Sequence, residues 1–196
     1  MSILSEALRY RRLGLSVIPI RAGTKMPAVK AWKPYTLVAA TEADVRRWFD
    51  AENHTALAII CGPVSGDLFC RDFDTMESYH AWANAHSEWA SRLPTVATHR
   101  GRHVYCRGDV EVVRTVAKGG GLCAKLVKGE LRAGGCYVVA PPSRHLKGST
   151  YRWLIPIDGD IPRVDLRAAG LIPCNGEDRA GGVGREHGAT GDGIEP

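Results

Sequence analysis

The sequence predicts an α+β fold in which helices pack on a largely antiparallel sheet. Helix-like and strand-like segments alternate up to Pro94, and short β-type runs separated by glycines and prolines follow it. Of the 196 residues, 44% are hydrophobic, which is enough for one well-filled core and too little for two substantial domains. We therefore expect a single compact domain over residues 1–170 and a disordered, glycine-rich tail or linker over residues 171–196.

Capping signals mark the helices of the N-terminal half. Gly14 stands where a left-handed C-cap would end a first helix. Thr41 and Asp44 have the spacing of a capping box, and Thr75 can cap a later helix. The elements predicted in this half are helices over residues 3–13, over about 42–50 and after Thr75, and strands at SVIPI, residues 56–61 and residues 67–74.

The half of the chain after Pro94 has a β-type pattern. Its short runs are rich in β-branched and aromatic residues and are bounded by turn-forming residues, which predicts strands joined by turns. The predicted strands are TVAT, RHVYC, LCAKLV, GELRA, CYVVA and YRWLI.

Basic residues are concentrated in parts of the chain. The net charge is +5, but residues 91–153 hold twelve Lys and Arg against three acidic residues, and the first fifty residues hold nine against four. This excess favours a polyanionic partner such as nucleic acid, because phosphate contacts supply most of its sequence-independent affinity. A merely solvated basic surface is the alternative on charge alone.

The sequence lacks the features of a membrane span and of a secreted, disulfide-rich protein. No run approaches roughly 18 apolar residues, and charged residues such as Glu6 and Arg9 interrupt the N-terminal segment. The six cysteines form no CxxC pair and have no regular spacing. We expect a cytoplasmic protein without membrane contact, whose cysteines are reduced and mostly buried.

Two aspartates stand two residues apart in the segment LFCRDFDTM. Asp72 and Asp74 would share one face of the predicted strand, because strand side chains alternate between faces. Carboxylates in this position can hold Mg²⁺ or Mn²⁺, as two-metal phosphoryl transfer requires. An acidic pair at a strand end or turn is the alternative, because a DxD pair by itself is weakly specific.

A histidine follows in the segment THRGRHVYC. His103 should share a strand face with Tyr105, and we interpret it as a hydrogen-bond donor to phosphate. An ordinary half-exposed strand histidine is the alternative. His99 and His103 have the spacing of an HxxxH zinc pair, but Gly101 and the β-branched neighbours argue against the helix that such a pair needs.

The stretch KGELRAGGCYVVAPPSRH combines an acid, a cation and two turn signals. Glu130 and Arg132 are i and i+2, so a metal-binding acid and a triphosphate-binding cation would lie side by side on a regular strand. Gly134-Gly135 permits a tight bend, and Pro141-Pro142 ends the strand that follows. The alternative is a surface ion pair beside a hairpin turn.

Taken in this order, the three segments resemble the primase-polymerase branch of the archaeo-eukaryotic primase superfamily, of the phage and plasmid replication type. That family has an acidic DxD or DxE on a strand, then a histidine in a Gly-x-His-aromatic context, then an acid followed by Arg, Gly-Gly-Tyr and Pro-Pro-Ser-x-His. Here the corresponding segments are RDFD, GRHVY and ELRAGGCYVVAPPSRH. An opening helix and strand with a Lys-x-Pro turn, and the closing segment GSTYRW, extend the resemblance over about residues 6–154.

The resemblance implies an RRM-like catalytic sheet with flanking helices. It also implies a template-directed nucleotidyl transferase, a DNA primase and/or DNA polymerase that uses nucleoside triphosphates and a single-stranded DNA template. The implied catalytic, metal-binding acids are Asp72, Asp74 and Glu130, with two Mg²⁺ or Mn²⁺ ions. The implied nucleotide-binding residues are His103, Arg132, Ser143 and His145. On the rim beyond them, we expect the DNA-binding residues to be Arg144 and Lys147.

Two positions depart from the family pattern. The third acid is Glu130 where many relatives have Asp, and this longer side chain still reaches a metal. Arg71 replaces an apolar residue before the first acid, so we expect it to reach solvent, a carboxylate or DNA phosphate on the opposite face of the strand.

Two other functions are compatible with these residues. A non-catalytic module for single-strand DNA binding or replication initiation has no need of three acids, which repel DNA phosphate unless metals lie between them. A metal-dependent nuclease could use the same acids to activate water. The sequence contains no GxxxxGK[ST], so a helicase that acts with this domain would be a separate or fused partner.

Overall fold

The computed structural model describes residues 2–117 and 122–173, which form five α-helices and nine β-strands. The helices are α1 Ile3–Arg12, α2 Glu42–Arg46, α3 Met76–Ala85, α4 Ser87–Arg92 and α5 Val110–Val116, with a π-helical turn over Arg47–Ala51 and 3-10 turns over Lys33–Thr36 and Pro63–Ser65. The strands are β1 Val17–Ile20, β2 Ala56–Ile60, β3 Leu68–Phe73, β4 Thr95–Ala97, β5 Arg102–Arg107, β6 Cys123–Leu126, β7 Gly129–Arg132, β8 Tyr137–Ala140 and β9 Arg152–Ile155.

The strands form two separate sheets. One has three strands in the order β1-β2-β8, and the other has six in the order β6-β7-β3-β5-β4-β9. Every pairing between these strands is antiparallel. The α+β class with antiparallel pairing is therefore confirmed, while its division into two sheets was not predicted.

The six-stranded sheet is the middle layer of the molecule, because the side chains of β3 alternate between two apolar cores. Leu68 and Cys70 pack with α1 and the three-stranded sheet. Phe69 and Phe73 pack on the other side, with Trp82 of α3 and side chains of α5. Each face of β3 is thus covered over most of its length, as expected for a central strand.

Predicted caps are found at the ends of the helices. The Thr41 hydroxyl accepts from the Asp44 N–H, and the Asp44 carboxylate accepts from the Thr41 N–H, which completes the capping box of α2. Thr75 caps α3 through the N–H of Ser78. Gly14, just beyond α1, has φ of +78°, the left-handed conformation expected there.

The packed body extends past the predicted boundary at residue 170. Leu171 and Ile172 are buried in the second core, and the indole N–H of Trp82 donates to the carbonyl of Ala169 at 2.9 Å. Assigning residues 171–173 to the tail was therefore wrong, because apolar side chains there fill the core. Residues 174–196, the rest of the predicted tail, lie outside the described residues.

Cysteine chemistry is partly as expected. Cys61, Cys70 and Cys106 are buried free thiols, and burial raises their pKa. Cys123 and Cys136 form a disulfide, which corrects the prediction that the cysteines are reduced. The two lie 13 residues apart, and the β6–β7 ladder followed by the bend at residues 134–135 brings them together. Within the described parts of the chain, no helix has the length and apolar character of a membrane span.

Candidate active site

Three candidate residues form one row across the six-stranded sheet. Asp72 of β3 pairs with His103 of β5 on one side and with Glu130 of β7 on the other. Directly opposed residues of neighbouring strands point to the same face. The alternation pattern of three distant segments therefore places an acid, a histidine and a second acid side by side.

The next row on this face adds an aromatic residue and a cation. Cys70 of β3 pairs with Tyr105 on one side and Arg132 on the other. Cys70 and Tyr105 are buried, whereas Arg132 is half-buried. The prediction that His103 and Tyr105 share a face is confirmed, since the Tyr105 hydroxyl lies 3.4 Å from His103 Nδ1.

Asp72 and His103 are close partners. His103 Nε2 lies 3.5 Å from Asp72 Oδ1, with 7% and 19% of their side chains exposed. Burial acts to raise the pKa of Asp72, but the hydrogen bond and charge of His103, together with Arg132 and Lys25, outweigh it and hold the pKa below its ordinary value. Asp72 is therefore ionised at neutral pH.

Asp74 lies just beyond the end of β3, and its side chain is exposed. Its N–H donates to the carbonyl of Lys128 at 3.1 Å, so the backbone stays paired with the β6–β7 turn. A Cβ added at Gly101 would collide with the carbonyl of Phe73, so only glycine permits this close approach. Asp72 and Asp74 both line one cavity, together with Phe73 between them.

Glu130 and Arg132 are neighbours on β7, as predicted. Arg132 Nη2 lies 2.8 Å from Glu130 Oε2, and both side chains are about one-third exposed or less. Arg132 Nη1 also approaches the carbonyl of Tyr137 at 3.4 Å, whereas its buried Nε has no hydrogen-bond partner. Glu130 therefore directs its carboxylate to a cation.

The donor set fits a divalent cation in part. Asp72 and Asp74 supply carboxylate oxygens to one cavity, and hard cations such as Mg²⁺ and Mn²⁺ prefer such ligands. Within residues 2–117 and 122–173, however, no three His, Cys, Asp or Glu side chains gather into a group that could hold a metal. The Glu130 carboxylate is instead paired with Arg132.

Two adjoining cavities, which we call the cleft, lie beside Asp72 and His103, and Glu130 is in the walls of neither. The larger has a volume of about 170 Å³ and includes Arg132, Tyr137 and Val138 in its walls. The smaller, of about 60 Å³, includes Asp74, His99, Arg100 and His145. Both are lined by Lys25, Asp72, His103 and Tyr151. The cleft thus combines acids and cations, as needed to bind a phosphate ester together with a metal ion.

A family model described as bifunctional DNA primase/polymerase, N-terminal (Prim-Pol) matches residues 7–163. The chain belongs to the Prim-Pol family. The matched segment contains all nine residues that the sequence singled out for catalysis, nucleotide binding or DNA binding. Membership implies a nucleotidyl transferase of the primase/polymerase class with DNA and nucleotide substrates. No curated protein sequence gives a significant match.

Ser143 of this Prim-Pol domain does not have the position expected of a nucleotide ligand. It is fully buried, and its hydroxyl accepts from the N–H of Leu57 at 2.8 Å and donates to the Leu57 carbonyl at 3.1 Å. Its side chain ties the segment after β8 to β2. We therefore correct its role to positioning of the loop that carries the next residues.

The loop after Ser143 carries the other predicted residues. Arg144 and Lys147 are exposed on this loop. His145 turns into the cleft and stacks on His99, with ring centroids 4.8 Å apart and planes within 6° of parallel. Burial and the nearby charges of His99 and Lys25 hold the pKa of His145 below its ordinary value of 6.5.

Arg71 neither extends into solvent nor pairs with a carboxylate of the described residues, as two of the expectations for it had it. It is buried, and its guanidinium donates to the backbone carbonyls of Asp72, Glu130 and Val127 and lies 4.4 Å from the centroid of the Phe73 ring. Burial lowers its pKa to about 10. Arg71 thus ties β3 to β7 beneath the acidic row of the Prim-Pol site.

Among the lining residues of the cleft that sequence reasoning did not assign to the site are Lys25, Tyr137 and Tyr151. Lys25 lies in the Lys-x-Pro turn, which the family resemblance includes but to which no role was assigned. Tyr151 is buried between His103 and His145, with ring centroids 5.8 Å and 6.1 Å away. Its position depends on tertiary packing, so no local pattern could have indicated it.

Proposed function

We propose that this Prim-Pol domain is a template-directed nucleotidyl transferase, a DNA primase and/or DNA polymerase that acts in DNA replication in the cytoplasm. Its six-stranded sheet would be the RRM-like sheet of the archaeo-eukaryotic primases. One observation carries the proposal: the acid Asp72, the histidine His103 and the cation Arg132 line one cleft in a chain that the Prim-Pol model matches over residues 7–163.

Asp72 and Asp74 would hold Mg²⁺ or Mn²⁺ in this cleft, with Glu130 as the third acid of a two-ion site. Such ions supply Lewis-acid stabilisation of the phosphoryl oxygens and of the attacking and leaving oxygens. The low pKa of Asp72 supports this role, because the carboxylate is ionised and needs no proton removed before it binds a cation.

Arg132 links nucleotide binding to the third acid. Its guanidinium is now paired with Glu130 at 2.8 Å. A triphosphate that takes over the guanidinium would release the Glu130 carboxylate, because phosphate competes well for the same donors. Binding of the nucleotide would thereby free Glu130 to act as a metal ligand together with Asp72 and Asp74.

His103 and Arg132 would bind the triphosphate. His103 has weak contacts to Asp72 and Tyr105, at 3.5 and 3.4 Å, so its ring can exchange one of them for a phosphate oxygen. Donors fixed on strands stabilise charge that develops on the phosphates without reorganising. This role for His103 remains the one predicted from its sequence context.

The template would lie along the basic loop that contains Arg144 and Lys147. Both are exposed, and contacts from such residues to phosphate carry affinity but no sequence information. Base pairing with the incoming nucleotide would then read the template. A helicase, separate or fused, would be the partner that supplies single-stranded DNA in replication.

A single incubation tests the proposal against its rivals. Purified protein is mixed with a labelled, primed single-stranded template, nucleotides and Mg²⁺ or Mn²⁺, and the products are resolved by length. Extension that is lost in Asp72→Asn supports the proposal. Binding without extension would indicate a replication-initiation module, and shortened products a nuclease; either result would overturn it.

A further inference from the structure

Lys25 is a cation of the cleft whose ammonium group has no polar partner among the residues that the structure describes. Its side chain lines both the larger and the smaller cavity, together with Asp72 and His103. Within residues 2–117 and 122–173 its ammonium group forms no hydrogen bond or ion pair. Exposed lysines usually extend into solvent, so a lysine in the wall of a polar cavity is placed to meet an anionic ligand.

The turn that carries Lys25 is held firmly against the cleft. The Tyr137 hydroxyl donates to the Lys25 carbonyl at 3.0 Å, and Arg21 donates its N–H to the Met26 carbonyl at 2.9 Å, which closes the turn. Tyr137 in turn packs edge-on against Trp32, with ring centroids 4.9 Å apart. The backbone of Lys25 is therefore held in a defined position relative to the strands that line the cleft.

A stacked pair of imidazoles faces Lys25 in the smaller cavity. His145 Nδ1 accepts from the N–H of Lys147 at 3.2 Å, so its neutral ring carries the proton on Nε2. His99 Nδ1 contacts the Ser149 hydroxyl at 3.1 Å. The Nε2 atoms of both rings have no hydrogen bond among the described residues and are therefore available to a ligand.

The two cavities differ in the ligand that they suit. The larger one has Tyr137, Val138 and Tyr151 in its walls beside the cation Arg132, so it suits a sugar and the phosphate attached to it. The smaller one, of about 60 Å³, is too small for a nucleoside and has the cation Arg100 in its wall besides Lys25 and the histidine pair. A cluster of cationic and neutral donors beside two acids suits phosphate oxygens.

We propose that Lys25 and the stacked His99–His145 pair bind the β- and γ-phosphates of the incoming nucleoside triphosphate. This inference rests on the proposed function. It gives Lys25 and His99 a role as phosphate ligands. The smaller cavity would then distinguish triphosphates from monophosphates. Lys25 and Asp72 line both cavities, and His99 and His145 line the smaller one with them.

The test compares the dissociation constants of ATP and AMP, measured by calorimetry with Mg²⁺ and without primer or template. In Lys25→Met the ATP affinity should fall about tenfold, because a hydrogen bond to a charged group is lost, while AMP affinity stays unchanged. His99→Asn and His145→Asn should each lower ATP affinity about 2- to 10-fold. Lys25→Arg should retain most of the preference for ATP.

Lys30→Met is the matched control, because Lys30 is an exposed lysine of the same connection that lines neither cavity. Its ATP-to-AMP affinity ratio should equal that of the wild type. Equal losses for ATP and AMP in Lys25→Met, or no loss for either, would overturn the inference and leave the proposed function standing. Failure of the wild type to bind ATP at all would overturn both.

Discussion

Asp72 and His103 face one another across the β3–β5 ladder, with Asp72 Oδ1 3.5 Å from His103 Nε2. Both belong to the face of the six-stranded sheet that elsewhere packs on the three-stranded sheet. A buried acid that is ionised needs cationic or hydrogen-bonding partners, because desolvation disfavours its charge. His103 therefore helps to keep the Asp72 carboxylate ionised at this point of the cleft.

Asp72→Asn and Asp74→Asn should each lower primer extension by several orders of magnitude, because each removes a carboxylate that the proposed chemistry needs in the transition state. The measurement is extension of a labelled primer at saturating nucleotide and metal. Glu88→Gln, on the exposed side of α4, is the control and should keep wild-type activity. Near-normal extension by either aspartate variant would refute the assignment.

Asp72 should also give the protein a characteristic pH dependence of stability. Its pKa is lowered in the fold from an ordinary value of 3.8, so its ionised form stabilises the protein above that value. The contribution is lost as the pH falls through the lowered pKa. The difference in unfolding free energy between wild type and Asp72→Asn, measured by urea titration without metal, should therefore shrink at acid pH. A difference that grows on acidification would contradict this.

Glu130 and Arg132 should behave differently although they form one ion pair. Glu130→Gln should reduce the rate of extension more than nucleotide affinity and should raise the metal concentration required. Arg132→Ala should lower nucleotide affinity about 5- to 150-fold, since it removes a charge-assisted hydrogen bond worth about 1–3 kcal/mol. Titrations of metal and nucleotide with both variants check this, and identical profiles would show that the residues have no separate roles.

The sequence predicted which residues share a strand face, because strand geometry is local. The two-residue period places His103 and Tyr105, and Glu130 and Arg132, on shared faces, whereas Asp74 lies beyond the end of β3. The ladders that join β3 to β5 and β7 follow from tertiary pairing. Neither the residues nor the order of the motifs predicted that pairing.

Three features could not be predicted in this way. Helix α5, Val110–Val116, is rich in β-branched residues, whose helix propensity is low, and packing of Val113 in the core overrides it. The contact of the Lys25 turn with Tyr137 spans 112 residues. The stacking of His99 on His145 also joins distant segments, and neither contact leaves a periodic signal.

Ser143→Ala should destabilise the fold while leaving nucleotide affinity nearly unchanged. The hydroxyl is the partner of the buried N–H of Leu57, and leaving such a donor unsatisfied costs about 1–3 kcal/mol. Denaturant unfolding measures the loss of stability, and nucleotide titration of the same preparation measures the nucleotide affinity. A large loss of nucleotide affinity with unchanged stability would instead favour a direct nucleotide contact.

His145 should titrate below its ordinary pKa of 6.5, mainly because of burial and also because of the positive charge around it. Its imidazole would thus be uncharged at neutral pH. NMR titration of the ring should give a pKa that rises toward the ordinary value in Lys25→Met, since one repelling charge is removed. A pKa above 6.5 in the wild type, or one that falls in Lys25→Met, would contradict this account of the cleft.

Arg144 and Lys147 should determine template affinity and not nucleotide affinity. Each lies exposed on the loop after Ser143, so replacement by Ala should remove one phosphate contact without disturbing the core. For single-stranded DNA, each contact contributes about 0.7 to the slope of log affinity against log salt, because bound counterions are released. The slope should therefore fall by about that amount in either variant, measured by fluorescence anisotropy over a range of salt concentrations.

Arg92→Ala is the control, because Arg92 is on α4, which packs on the opposite core. The template affinity of this variant should match that of the wild type. If instead Arg144→Ala weakened nucleotide binding and kept the wild-type salt slope, the loop would belong to the nucleotide site and the template would have to lie elsewhere.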